Sequence, residues 1–124
     1  MRTLLFIGMG GFIGSVLRYT MARYVQASVL SSFPFGTLTV NVAGCLLLGI
    51  IYGILEKGTL ISPDLRLMLT VGVCGGFTTF STFSAENFFL LRDGQIFYFL
   101  LYTFSSVFFC LLAVYLGYVI SKLF

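Results

Sequence analysis

Four apolar stretches, each long enough to cross a bilayer, leave this chain little choice of fold. They cover roughly residues 3–25, 36–55, 65–91 and 96–124, separated only by short polar turns. A spanning helix takes about 20 apolar residues, so 124 residues accommodate four spans and almost nothing more. Charged residues make up 9% of the chain, against about 25% in an ordinary soluble domain. The expected class is an all-α integral membrane protein, one transmembrane domain over residues 1–124. Its opening imitates a signal peptide, with Arg2 before an apolar run. Cleavage there would remove one of four spans, so a retained signal anchor is expected.

The turns are marked by composition. Gln26 to Phe35 holds Ser28, Ser31, Ser32 and Pro34; Glu56 to Pro63 holds Lys57 and Gly58; Arg92-Asp93-Gly94 forms the third. Gly and Pro clusters of this kind break periodic segments. Within the spans, Gly10 and Gly14, Gly49 and Gly53, and Gly72 and Gly76 each form a GxxxG pair. Such pairs let helix backbones approach closely, and here they predict tight packing of spans 1 to 3.

Composition also excludes several functions. The seven basic residues are scattered, so the net charge of +3 gives no nucleic-acid footprint and no nucleic-acid partner is expected. There is no His, no HExxH and no pair of carboxylates placed to share a proton. Catalysis lacks its usual groups, so the chain is not expected to be an enzyme. Cys45, Cys74 and Cys110 lie inside apolar spans without CxxC spacing, which predicts reduced thiols acting as small apolar side chains. Glu56, Asp64 and Asp93 fall in loops, and only Glu86 lies within a span, toward its end.

Four basic residues (Arg2, Lys57, Arg66, Lys122) fall on one side of the membrane and three (Arg18, Arg23, Arg92) on the other. A protein of fixed orientation concentrates Lys and Arg on its cytoplasmic side. The near balance predicts insertion both ways. Oppositely oriented copies could then pair about an axis in the membrane plane. Four helices this short could hardly enclose a pore alone, which also points to an oligomer.

Gly75-Gly76-Phe77-Thr78-Thr79-Phe80-Ser81-Thr82-Phe83-Ser84 interrupts the third span. Paired glycines weaken a helix, and Ser and Thr hydroxyls compete for backbone hydrogen bonds. At membrane depth a break survives only when buried in protein or lining a wet cavity. Such breaks free carbonyls and amides to face a ligand. The third helix is therefore expected to be broken mid-membrane. Asn41, within span 2, supplies an amide that needs partners in a low-dielectric setting. Phe80 and Phe83 share a helix face, and an aromatic ring is electropositive at its edge. With the hydroxyls of Thr79, Ser81 and Thr82 these edges could receive a small anion without a fixed charge. Tyr102, Ser106 and Cys110 make a polar stripe on span 4 that becomes apolar at Val114.

Three segments carry a resemblance: residues 8–19 (GMGGFIGSVLRY), residues 36–44 (GTLTVNVAG) and residues 72–84 (GVCGGFTTFSTFS). In this order, across nearly the whole chain, they are similar to the Fluc (CrcB) family of fluoride channels. The resemblance implies an antiparallel, dual-topology homodimer of four-helix subunits in the bacterial inner membrane. It implies two narrow pores that export fluoride passively and relieve its toxicity. It makes Phe80 and Phe83 ring-edge ligands, Asn41 a nearby donor, and Tyr102 and Ser106 the start of a polar track. Cys110 and Val114 stand where the family continues that track with hydroxyls. A structural Na+ at the dimer centre would be held by the carbonyls of Gly75 and Thr78, and Arg18 would be a vestibule arginine. The alternative, a small multidrug-type proton-coupled cation exporter, uses an acidic residue in the first helix. Span 1 has none, although Glu86 could in principle serve. A purely structural subunit would have no need of the Phe, Thr and Ser cluster.

Overall fold

In the computed structural model, residues 1–58 and 61–123 are described, and they are all-helical apart from turns. We number the helices α1 (Arg2–Ser28), α2 (Phe35–Glu56), α3 (residues 63–77), α4 (Phe80–Arg92) and α5 (Ile96–Lys122). Four segments are long and apolar enough to cross a membrane: α1, α2, α3 with α4 as Pro63–Arg92, and α5. Thr59 and Leu60 of the second turn, and Phe124 at the expected end of the fourth span, lie outside the described residues.

Contacts between the turns establish the up-and-down order. At one end Arg2 pairs with Asp64 at 2.9 Å, and Lys122 pairs with Glu56 at 3.1 Å. At the other end the Ser32 hydroxyl donates to the Gln95 side chain at 2.8 Å, joining the first turn to the third. Exposed ion pairs contribute at most about 1 kcal/mol each, so they record this alignment more than they create it.

Each connection has its own chemistry. The first differs from the sequence expectation, because α1 continues through Gln26, Ala27 and Ser28 before it ends. Ser28 donates back to the Tyr24 carbonyl at 3.0 Å, a bond that a helix accommodates. Gln26 organises the turn from inside the helix. Its amide donates to the carbonyls of Ser31 and Phe33, and its oxygen accepts the Gly36 N–H at the start of α2. Ser62 caps α3 by accepting the Leu65 N–H, with Pro63 in the first helical turn. Gly94 closes α4 at φ +77°. Its N–H donates to Leu91 and that of Gln95 to Leu90, a Schellman closure that favours glycine.

The helices pack as two parallel pairs. α1 lies on α3, where Gly10 and Gly14 meet the backbone of Met68, Gly72, Val73 and Phe77, and Gly76 meets Gly11 and Ser15. Both GxxxG motifs therefore face one another. The third motif corrects the expectation: Gly49 and Gly53 pack on Val114, Tyr118 and Ser121 of α5, in span 4. Their counterpart is Gly117-x-x-x-Ser121, whose single glycine hides the small-xxx-small pattern. Side chains on the outer faces, among them Phe104, Phe108, Leu111 and Tyr115 of α5, remain exposed, as expected of helices apolar all round.

The middle of α3 departs from α-helical geometry. Met68–Cys74 is π-helical, and the Gly75 N–H donates to Thr70, five residues back. Such wide turns are rare and concentrate at functional sites. Nothing in the residue types had marked it.

The close approach of α2 and α5 is testable. A Cβ on Gly49 would overlap the Val114 carbonyl, whereas one on Gly8 would meet nothing within 4 Å. Ala gains about 1 kcal/mol over Gly in helix propensity, while overpacking costs about 1–3 kcal/mol. Gly49→Ala should lower the melting temperature in detergent by several degrees, and Gly8→Ala should leave it unchanged or raise it. Equal melting of the two variants would remove this contact from the account.

Candidate functional site

Between α3 and α4 the chain takes two extended residues, Thr78 (φ −92°, ψ 153°) and Thr79 (φ −150°, ψ 130°). The Thr78 N–H and hydroxyl both donate to the Cys74 carbonyl at 3.0 Å, closing α3. Thr79 opens α4 by accepting the Thr82 N–H on its hydroxyl oxygen, which also lies 3.1 Å from the Ser81 hydroxyl. Hydroxyl residues suit this place because they can replace the missing helical partners.

Asn41 of α2 completes the break. Its amide nitrogen donates to the Thr79 carbonyl at 3.3 Å, and its oxygen accepts the Thr79 N–H at 3.0 Å. Only a side-chain amide offers one donor and one acceptor at the spacing of a peptide group. The pairing also fixes which way the amide faces and leaves one of its two N–H groups for another acceptor. Three residues further along α2, glycine at 44 leaves the space taken by the Thr78 methyl and the Phe77 ring. Asn41 and Gly44 together seat the break on α2.

The break also redirects carbonyls. In a continuous helix the Thr79 N–H would reach Gly75 and the Thr82 N–H would reach Thr78. Here those amides are given to Asn41 and to the Thr79 hydroxyl. Gly76 receives Arg18, whose Nε donates to its carbonyl at 3.1 Å. Among the described residues no three His, Cys, Asp or Glu side chains are arranged to hold a metal. Any cation here would rely on neutral oxygens such as those of Gly75 and Thr78.

The two phenylalanines take different positions. Phe83 packs inward, its ring centroid 5.0 Å from that of Tyr102, beside the cluster of Phe33, Leu90 and Tyr102. Phe80 stacks on Phe83 at 5.5 Å but stays 77% exposed on the chain's outer face. Ser81 is exposed with it.

A cleft of about 550 Å³ opens beside the break. Arg18, Arg23, Gln26, Thr37, Thr79, Thr82 and Glu86 line it. The sequence offers Glu86 only to the exporter alternative and assigns Thr37 no role. The structure joins both to Tyr102: Glu86 accepts from the Thr37 hydroxyl on one oxygen and from the Tyr102 hydroxyl, at 3.3 Å, on the other. The available signal was a carboxylate inside an apolar span, which is a functional candidate by default.

Tyr102 is fully buried and Ser106 nearly so. Gly49 meets Val114, and the same parallel register, stepped back a turn at a time, sets Cys45 opposite Cys110 and Asn41 opposite Ser106. The next step sets Thr37 opposite Tyr102, as their shared Glu86 confirms. Among the described residues the buried Ser106 hydroxyl has no hydrogen-bond partner, nor do the Thr103 hydroxyl and the Asn87 carbonyl oxygen. Unpaired buried polar atoms are rare enough to need a reason, and a polar ligand passing them would be one. Asn41, Thr79, Thr82, Phe83, Tyr102, Ser106 and Arg18 thus gather around one region. Phe80, Ser81 and Gly75 lie at its outer surface.

Loss of a buried hydrogen-bond partner costs about 1–3 kcal/mol. Asn41→Leu would strip both bonds from Thr79, and Asn41→Asp would keep only the acceptor. Leu should lower the melting temperature by many degrees and Asp by less; equal melting to wild type would show that Asn41 does not hold the break.

Comparison with known proteins bears on nearly the whole chain. The family model described as "CrcB-like protein, Camphor Resistance (CrcB)" matches residues 5–118, which include the whole site. A "Fluoride-specific ion channel FluC" from Flavobacterium psychrophilum is 46% identical, covering 98% of this chain and 98% of its own length. Proteins of the same description from Chlorobium phaeobacteroides and Geobacter sulfurreducens are each 48% identical, covering 97% and 94% of this chain and 93% and 94% of their own lengths. A match that runs through all four apolar helices at nearly half identity leaves no room for a merely local likeness: this multi-pass membrane chain belongs to the CrcB family.

Proposed function

We propose that this protein is a fluoride channel, a passive exporter and not an enzyme, seated in the bacterial inner membrane. The observation that carries the reading is the extended Thr78-Thr79 segment, pinned by Asn41 between a polar cleft and the Phe80–Phe83 ring pair. The names of near-identical-length relatives supply the anion.

Fluoride is small and strongly hydrated, so a narrow path must replace its water with donors at every step. Arg18 lines the cleft with one N–H committed to Gly76 and the rest of its guanidinium available. It would draw an anion to the mouth. The hydroxyls of Thr79, Ser81 and Thr82 and the spare N–H of Asn41 would then take over from water. The edges of Phe80 and Phe83 would carry the ion without a fixed charge to trap it. Tyr102 and the unpartnered Ser106 hydroxyl would continue the track.

The working unit in this reading is a dual-topology homodimer with two antiparallel pores. Phe80, Ser81, Ser84 and Gly75 are exposed on the outer face of a single copy. Polar groups and freed backbone do not face lipid at membrane depth, so a second copy covering them is the natural complement. A structural Na+ at the dimer centre fits the same place, since hard cations take neutral oxygen ligands. The carbonyls of Gly75 and Thr78, released from helical bonding, would hold it, and its charge would make the surroundings more favourable for anions.

The decisive experiment loads proteoliposomes with fluoride or chloride and allows counter-charge to move without a proton gradient. Fluoride should leave quickly and chloride should not. Phe80→Ile and Phe83→Ile should each slow efflux about tenfold, equivalent to about 1.4 kcal/mol of barrier, while the dimer persists. Proton-coupled movement of an organic cation instead would favour an exporter working through Glu86. Reporters fused to the C-terminus should appear on both sides of the membrane; a single side would retire the antiparallel pair.

A further inference from the structure

The register that aligns α2 with α5 has a consequence specific to this chain. Stepping back one turn from the Gly49–Val114 contact brings Cys45 opposite Cys110. Both thiols are half-buried. They sit where the polar stripe of Thr37–Tyr102 and Asn41–Ser106 gives way to the apolar Gly49–Val114 contact. The remaining thiol, Cys74 on α3, is 2% exposed. No three-ligand metal group exists among the described residues, so a thiol-based metal centre lacks its third ligand.

We propose that Cys45 and Cys110 form a redox-active dithiol whose disulfide clamps α2 to α5 and slows the ion track. Close backbone approach is what a disulfide needs, because its Cα atoms must lie within about 7 Å. The absent Cβ atoms of Gly49 and Gly117 bring the two helices to backbone contact immediately beyond the pair. On oxidation both S–H bonds break and one S–S bond forms. The two protons and two electrons pass to a lipid-soluble two-electron acceptor, such as a quinone reduced to hydroquinone or a diazene reduced to hydrazine. The site lies within apolar segments, so an acceptor that partitions into lipid is the class able to reach it. Oxidation removes both S–H donors and fixes the distance between two helices that line the track. The consequence for transport rests on the channel reading; the cross-link does not.

The test treats the protein, reconstituted in liposomes, with the permeant diazene diamide, then blocks remaining thiols with N-ethylmaleimide. Peptide mass spectrometry should find Cys45 joined to Cys110, and fluoride efflux should fall several-fold and recover with dithiothreitol. Cys45→Ala and Cys110→Ala should each abolish the link and the sensitivity to diamide, while Cys74→Ala should retain both. No link in the folded wild type, a link from Cys45 to Cys74, or a Cys45–Cys110 link with unchanged efflux would overturn the proposal. A protein that cross-links as described but never conducts fluoride would instead remove the channel reading and leave the thiol pair standing.

Discussion

A two-point hydrogen bond between the Asn41 amide and the main chain of Thr79 is the constraint on which the site depends. Without it the extended pair Thr78-Thr79 would present an unpaired N–H and C=O inside an apolar bundle. A buried group left in that state costs about 1–3 kcal/mol, enough to favour closing the helix. With it, the break stands as a formed element, and every neighbouring group is arranged around it. Thr79 is free to cap α4, Phe80 and Phe83 take their tilt, and Gly76 accepts Arg18.

Around that point the bundle is organised by absence of side chain. Glycines on α1 and α3 face one another, and glycines on α2 face Gly117 and Ser121 on α5. In lipid no hydrophobic force pushes helices together, so close van der Waals packing carries the association. Two parallel pairs held in this way form a firm frame. Between them Glu86 ties Thr37 to Tyr102, linking α2, α4 and α5 beside the cleft. The carboxylate accepts two hydroxyl donors, which lets an acidic group remain inside an apolar span.

Asn41 illustrates how the fold can give a side chain work that its residue type does not announce. Read as a residue type, it is an amide that needs partners within an apolar span. In the fold most of its hydrogen-bonding capacity holds the backbone of Thr79. Phe80 and Phe83 divide in a similar way, since spacing alone put them on one face. Packing against Tyr102 takes Phe83 inward and leaves Phe80 at the surface. Cys45 and Cys110, read singly, are small apolar residues; only the α2–α5 register makes them a pair.

The number of apolar segments, their order and the place of the polar interruption were all legible in the residues. Length, hydropathy and backbone propensity are local properties, and local properties are written along the chain. Family membership was legible for the same reason, in the three motifs at residues 8–19, 36–44 and 72–84. Tertiary structure decided which glycine motif meets which helix, how far α1 runs past its span, and where Glu86 and Thr37 point. It also decided the π-helical turn at Met68–Cys74. Each of these depends on distances between segments remote in sequence, or on a hydrogen bond whose partner lies on another helix. Spacing along one helix can say which side chains share a face, but only packing determines what that face meets.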